Sequence, residues 1–196
     1  MKKIFLTLFF IILSTNLNAS NIKKVYFAGG CFWCMEESFD KVKGVIETIS
    51  GYSGGHVKNP KYKDVVKNNT GHYETLEITY DSTITNFEKL LEVFWINIDP
   101  FDANGQFCDK GESYKSVVFY ENNDQKKIIE ISIKNIENRF NKKVVTYIKN
   151  FKEFYMAETY HQDYYEKNFI RYLMYKKGCQ REEVLNKIWG WKKYLF

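Results

Sequence analysis

Proline is nearly absent from this chain of 196 residues, which carries only Pro60 and Pro100. No stretch rich in proline, glycine or serine separates one part from another, and there is no internal repeat or low-complexity tract. The sequence therefore reads as one compact domain. Charge of one sign is never massed either. The formal balance is +5, but lysines and acids alternate along the chain without a basic block or stripe, so no nucleic-acid partner is expected. The chain has no phosphate loop and no G-x-G-x-x-G turn, which removes the common nucleotide-binding classes. Its three histidines and four cysteines lack the paired spacing of a structural zinc site, and neither a metal nor another cofactor is expected.

Long apolar runs are missing too. Met1-Lys2-Lys3 is basic, Ile4 to Leu13 is apolar but too short to cross a bilayer, and small polar residues follow up to Ser20. This is the layout of a secretory signal peptide over residues 1–19, cleaved near Ala19. Residues 20–196 then form the mature domain, exported to an oxidising, periplasmic setting. Lys23 and Lys24 separate Cys31 from the apolar run, which argues against a lipoprotein signal ending at that cysteine.

All four cysteines (Cys31, Cys34, Cys108 and Cys179) lie beyond the leader. In an oxidising compartment the ordinary reading is two structural disulfides. A Cys31–Cys34 bond would close almost no loop and add little stability, however, and C-x-x-C beside a strand and a helix is more often redox-active. The stretch Gly29-Gly30-Cys31-Phe32-Trp33-Cys34 follows the apolar run Val25 to Ala28 and opens a helix-like segment. A cysteine there meets free backbone N–H groups and the positive end of a helix, which favours thiolate.

Periodicity predicts strands over 24–28, 45–52, 72–80, 115–120 and 144–148. It predicts helices over 31–42, 87–98 and 129–140, then over 156–167 and 182–191. Glu36 and Glu37 are expected in the early turns of the first helix, residues 56–70 as mostly loop, and 72–80 as a half-buried strand. The order β-α-β-β-α-β-α-β implies an α+β fold: a mixed sheet, a ferredoxin-like βαββαβ-type core and a helical, loop-rich C-terminal tail.

Strand parity puts Glu74 on the apolar face with Leu76 and Ile78. Desolvation there would raise its pKa and let it deliver a proton; the alternative is a solvated carboxylate at a frayed strand end. Phe32 and Trp33 are either ordinary packing or the wall of a small apolar pocket beside Cys31. Tyr62 and Tyr114 lie in polar loops, where a phenol can donate to a substrate oxygen, but nothing sets them apart from the other tyrosines. His72 and His161 are bases, ligands or simply hydrogen-bonded.

The succession Gly30-Cys31-Phe32-Trp33, Gly51-Tyr52-Ser53-Gly54-Gly55, Asn59-Pro60-Lys61-Tyr62 and Gly71-His72-Tyr73-Glu74 closely resembles the peptide methionine sulfoxide reductase A family. The resemblance continues through Val93-Phe94-Trp95, Asp99-Pro100, Gly105-Gln106-Phe107-Cys108-Asp109, Tyr114 and Ala157-Glu158-Thr159-Tyr160-His161-Gln162. It spans about Lys24 to Gly190. Ile98 and Lys115 stand where the family often has His and Arg.

The resemblance implies reduction of methionine S-sulfoxide, free or in proteins, as repair of oxidised exported proteins. Cys31 matches the nucleophile, Glu74 the acid at the sulfoxide oxygen, and Phe32 and Trp33 the pocket for the methyl group. Tyr62 and Tyr114 match phenols that bind the oxygen, and Asp109 a polar residue of the site. It also implies a sulfenic acid on Cys31, a resolving disulfide, and a thioredoxin-like reductant acting on a monomer. The family's recycling cysteines usually lie near the C-terminus, which points to Cys179. Cys34 is the alternative, and Cys108 stays open. The rival reading is a thioredoxin-like thiol–disulfide oxidoreductase, but neither Asn59-Pro60 nor Asp99-Pro100 suits the proline that would face its cysteine pair.

Overall fold

The computed structural model describes residues 21–67 and 69–190; the leader and Ala19 lie outside the described residues. The chain runs β1 (Ile22–Ala28), α1 (Phe32–Phe39), β2 (Val45–Ser53), α2 (Tyr62–Val65), β3 (Tyr73–Asp81) and α3 (Phe87–Ile96). A small hairpin follows, β4 (Gly105–Gln106) and β5 (Asp109–Lys110), then β6 (Val117–Tyr120), α4 (Asn123–Phe140), β7 (Tyr147–Asn150) and β8 (Phe154–Met156). The C-terminal helices are α5 (Tyr164–Lys167), α6 (Phe169–Gly178) and α7 (Arg181–Trp189).

Local chemistry sets several of these boundaries. The Asn86 side chain accepts from Lys89 N at 2.8 Å and caps α3, and Asn122 does the same for α4 through Gln125 N at 2.9 Å. Each such cap contributes about 1 kcal/mol. Asn141, with φ 47°, ends α4 in the left-handed region that asparagine tolerates.

The main sheet has the order β7-β6-β1-β3-β2-β8. Neighbours among β6, β1, β3, β2 and β8 are antiparallel, and β7 joins β6 in parallel, so the sheet is mixed as expected. One face packs on α1, α3, α4 and α7 through a core that includes Phe27, Met35, Phe39, Leu76, Ile78, Leu90, Phe94 and Ile129. Each such fully buried side chain is worth roughly 2 kcal/mol of transfer free energy.

Three expectations need correction. The strand expected to be half-buried is buried on both faces from Tyr73 to Tyr80. It lies between β1 and β2, and its outer face is roofed by Phe151 and Phe154, which pack with Tyr26, Tyr73 and Phe119. Two polar residues on that side have partners, Lys24 pairing with Glu77 at 2.6 Å and Thr75 Oγ1 donating to Tyr73 O, whereas the buried Thr79 hydroxyl has none among the described residues. Helix α1 begins at Phe32 and stops at Phe39, so Glu36 and Glu37 fall outside its first turn. Glu36 is instead buried, which pushes its carboxyl up to about 8, and it accepts from Asp163 N. Finally, the segment expected as a helix over 156–167 starts on Met156, the last residue of β8, and continues into a 3₁₀ turn at Thr159–His161. Only α5 within it is α-helical, and α6 comes unannounced.

Strand β8 attaches to β2 through Gly51↔Met156, Tyr52↔Tyr155 and Ser53↔Phe154. A Cβ on Gly51 would collide with the Phe154 ring and the Tyr155 carbonyl oxygen. Gly51→Ala is therefore expected to cost about 1–3 kcal/mol in chemical denaturation through overpacking. Faster hydrogen exchange should be confined largely to residues 154–157. A fully wild-type denaturation midpoint would show that β8 yields freely.

Candidate active site

The pairing directions bring distant residues to one end of the sheet. Because β1 and β3 are antiparallel, with Phe27 opposite Leu76, the end of β1 lies beside the start of β3. The loop after β1 carries Cys31 and the start of β3 carries Glu74. Tyr52 opposite Glu74 brings in the end of β2, and α2 with Tyr62 follows it. Ala28 opposite Val117 places the 3₁₀ turn Glu112–Tyr114 against the same loop. The β4–β5 hairpin adds Asp109.

Between β1 and α1 the backbone turns at Gly30, whose φ of 79° is in the left-handed region. An added Cβ would press on the Gln106 side chain. Cys31 is the N-cap of α1. With Phe32, Trp33, Tyr62, Glu74, Asp109, Tyr114 and Tyr175 it lines a cavity of about 70 Å³. Every nucleophile, acid and pocket residue expected from sequence thus meets in one place. Tyr175 on α6 is the member that sequence reasoning missed.

Glu74 is buried and accepts from Phe32 N at 3.1 Å through Oε2. Desolvation holds its carboxyl well above the ordinary range, the Phe32 bond opposes this, and charge at Asp109 and Cys34 adds to it. Burial therefore favours its protonated, neutral form, and it is not a solvated carboxylate. Tyr62 is pushed up to about 12 and Tyr114 also rises, in both cases chiefly through burial, and the two phenols share a hydrogen bond. Both stay protonated donors. Burial likewise raises the Asp109 carboxyl, and Tyr175 Oη donates to its Oδ2.

The expected Cys31 thiolate needs revision. No hydrogen bond reaches its side chain as N-cap, and the first amide of α1, Phe32 N–H, is taken by Glu74. Burial, then its hydrogen bond and charge interaction with Cys34, then Glu74 and Asp109 hold Cys31 as a thiol. Its neighbour Cys34, also buried, falls to about 7. The Cys31 hydrogen bond is the main cause, followed against burial by Arg181, Tyr172 and Lys176. The negative charge of the pair belongs to Cys34.

Cys108 and Cys179 are joined in a disulfide, with their Cα atoms 4.9 Å apart, while Cys31 and Cys34 are free. The bond ties the hairpin carrying Asp109 to the end of the helix carrying Tyr175. Cys179 is thus placed against Cys108, not beside Cys31.

Phe32 and Trp33 form an aromatic wall. Trp33 stacks on Tyr164 at 3.8 Å and donates from Nε1 to His161 Nδ1 at 3.2 Å. Phe32 packs with Tyr52, Tyr62 and His161. Burial lowers His161 to about 4, so it is a neutral acceptor that orients Trp33. His72 bridges Gly55 N and Val57 O and organises a loop.

Comparison with known proteins gives the family. The family model described as peptide methionine sulfoxide reductase matches residues 23–193. The Staphylococcus aureus protein MsrA 2 is 47% identical over 165 residues, covering 83% of this chain and 93% of that one. The Bacillus licheniformis protein MsrA is 47% identical over 168 residues, covering 85% and 93%. Among solved structures, reduced Mxr1 from Saccharomyces cerevisiae is similar with a TM-score of 0.70 and 30% identity, covering 75% of this chain and 86% of that one. Methionine sulfoxide reductase A of Corynebacterium diphtheriae has a TM-score of 0.69 at 28% identity, covering 77% of each chain. The chain that brings Cys31, Glu74 and two phenols to one aromatic-walled cavity belongs to the peptide methionine sulfoxide reductase family.

Proposed function

We propose that this oxidoreductase reduces methionine S-sulfoxide with Cys31 as nucleophile and Glu74 as acid, and that Cys34 resolves the product. The carrying observation is the single cavity that holds Cys31, Glu74, Tyr62 and Tyr114 together against Phe32 and Trp33. In this reading the substrate methyl group rests on the aromatic wall while the phenols and the Glu74 acid donate to the sulfoxide oxygen. The Cys31 sulfur attacks the sulfoxide sulfur; the S–O bond and the new S–S bond then break as the oxygen passes to Cys31, leaving a sulfenic acid there and releasing methionine. Glu74 gives a proton to the departing oxygen, and the proton lost from the Cys31 thiol restores it. Asp109, held by Tyr175, closes the polar side of the cavity.

Resolution follows when a second thiolate attacks the Cys31 sulfenic acid, forming a disulfide and releasing water. Cys34 is already hydrogen-bonded to Cys31 and carries the lower pKa, whereas Cys179 is engaged by Cys108. The geometry therefore favours the alternative resolver over Cys179. A thioredoxin-like dithiol then reduces the Cys31–Cys34 bond; the yeast protein Mxr1 has been solved in complex with Trx2.

The antiparallel succession β6-β1-β3-β2, reached in the chain order βαββαβ, supports a ferredoxin-like core. The basic and apolar leader ending near Ala19 supports action on exported, periplasmic proteins. One chain supplies the whole cavity, which supports a monomer.

The test is mass spectrometry of the protein after one turnover with a methionine S-sulfoxide peptide and no reductant. The expected product is about one methionine per enzyme and a Cys31–Cys34 disulfide. Cys34→Ser should still release that methionine, accumulate a sulfenic acid trapped by dimedone, and cycle poorly with thioredoxin. A Cys31–Cys179 bond in the wild-type protein would return the resolving role to Cys179. No methionine at all would overturn the reductase reading.

A further inference from the structure

A buried cation that shares a cavity with Cys34 has no part in the reaction as described. Arg181, at the start of α7, is 3% exposed. Its Nη2 donates to Asn97 O at 2.6 Å, Met35 Sδ at 3.4 Å and Gly29 O at 3.5 Å. Its guanidinium lies 4.4 Å from the Phe107 ring centroid, and Nη1 has no hydrogen-bond partner among the described residues. All of these neighbours are uncharged. No carboxylate forms an ion pair with Arg181 among the described residues, although Asp109 feels its charge. A buried charge without a counter-charge is costly, and sites that keep one generally use it.

The surroundings show where a counter-charge would arise. Arg181 lines a closed-in cavity of about 20 Å³ together with Cys34, Ser38, Asn97 and Lys176. This cavity is separate from the substrate pocket, whose lining includes Cys31 but not Cys34. Lys176, the other cation there, is matched by Glu37 at 2.6 Å. Arg181 is the one whose charge no acid offsets at contact.

We infer that Arg181 is a positioning residue for the second half-reaction, holding Cys34 as the thiolate that attacks the Cys31 sulfenic acid. The inference rests on Cys34 being the resolver. Its logic lies in timing. At rest, the chief group favouring the Cys34 thiolate is the Cys31 S–H donor. The reductase step consumes that thiol, because its sulfur now carries oxygen. What remains to favour the thiolate is the Arg181 charge, with Tyr172 and Lys176 from α6, against burial. The groups of opposite sign near Cys34 are Glu74 on β3, and Glu37 and Glu182 in the rear cavity. The Cys34 sulfur attacks the Cys31 sulfur, the S–S bond forms, and the S–OH oxygen leaves as water with one added proton. Arg181 adds no atom and no electron.

Rapid-quench kinetics on Arg181→Met, Arg181→Lys and wild type test this. Methionine release and Cys31–Cys34 bond formation are followed in the same samples from pH 6 to 9. In Arg181→Met, disulfide formation at pH 7 should fall at least about tenfold relative to methionine release, since thiolate population scales tenfold per unit of pKa. It should recover toward pH 9. Arg181→Lys should keep most of the wild-type profile. A fall that is equal at every pH, or that Arg181→Lys shares fully, would mark Arg181 as merely structural. An unchanged ratio in Arg181→Met would also overturn the inference. Should Arg181→Met not fold, Arg181→Gln takes its place: a basic shift of its disulfide-formation profile would sustain the assignment, and no shift would end it. A wild-type disulfide between Cys31 and Cys179 is a separate failure, that of the resolver reading itself.

Discussion

Replacing Cys31 with serine should abolish methionine release, lowering the single-turnover rate by at least about 10⁴-fold. The reason is specific to the step. A hydroxyl oxygen attacks sulfoxide sulfur poorly, and an O–O product is far less accessible than a sulfenic acid, so the oxygen has nowhere to go. The loss should not come from unfolding. Cys31 makes no side-chain cap bond to α1, and a serine of nearly the same volume leaves the Gly30 turn intact. Circular dichroism and thermal melting should match wild type within about 1 kcal/mol. Release of methionine at a wild-type rate by Cys31→Ser would force the nucleophile onto Cys34. The separate cavities argue against that, because Cys34 faces the rear pocket and Cys31 the substrate.

Much of this site was legible because its residues sit at ends of elements that strand parity and turn chemistry locate well. Glu74 shares parity with Leu76 and Ile78, and that alone placed its carboxyl toward the interior, where it is found. Parity could not reveal that Thr75, Glu77 and Thr79 are buried too. Their cover comes from Phe151 and Phe154, far along the chain and in a region without regular period. The same region hid β8, a strand of three residues held only to the edge of β2.

Helix α6 was invisible for a related reason. Of its residues only Tyr172 is buried, while Phe169, Ile170 and Met174 are exposed, so no apolar stripe marks its inner face. Tyr175 was lost with it. The Cys31 thiolate was misjudged because a helix N-terminus was weighed without its competitor: the amide that would have served the sulfur serves Glu74. Sequence shows where donors converge, but not which acceptor arrives first.

Glu74→Gln should slow the reductase step by about 10²–10⁴-fold while changing substrate affinity much less, as expected when a general acid is lost. The amide oxygen can still accept from Phe32 N–H, so the pocket keeps its shape, but the group holds no acidic proton. In wild type the reductase step should be flat at low pH and fall as pH rises through the raised Glu74 value; this limb should vanish in Glu74→Gln. Stability should move the opposite way. In the unfolded chain the carboxyl ionises near its ordinary value, about 4.3, whereas burial keeps it protonated in the fold. Below the lower value both states hold the proton and Glu74 has no pH-linked effect. Above it only the folded state does, so Glu74 increasingly destabilises the protein until its own raised value is passed. Glu74→Gln removes that penalty and should be more stable than wild type at pH 7, with the advantage shrinking toward pH 4. Denaturation at the two pH values checks this. A variant that is slow but equally destabilised at both would make Glu74 a packing residue, whereas slow turnover with a pH-dependent gain in stability identifies an acid whose protonated burial is kept for its chemistry.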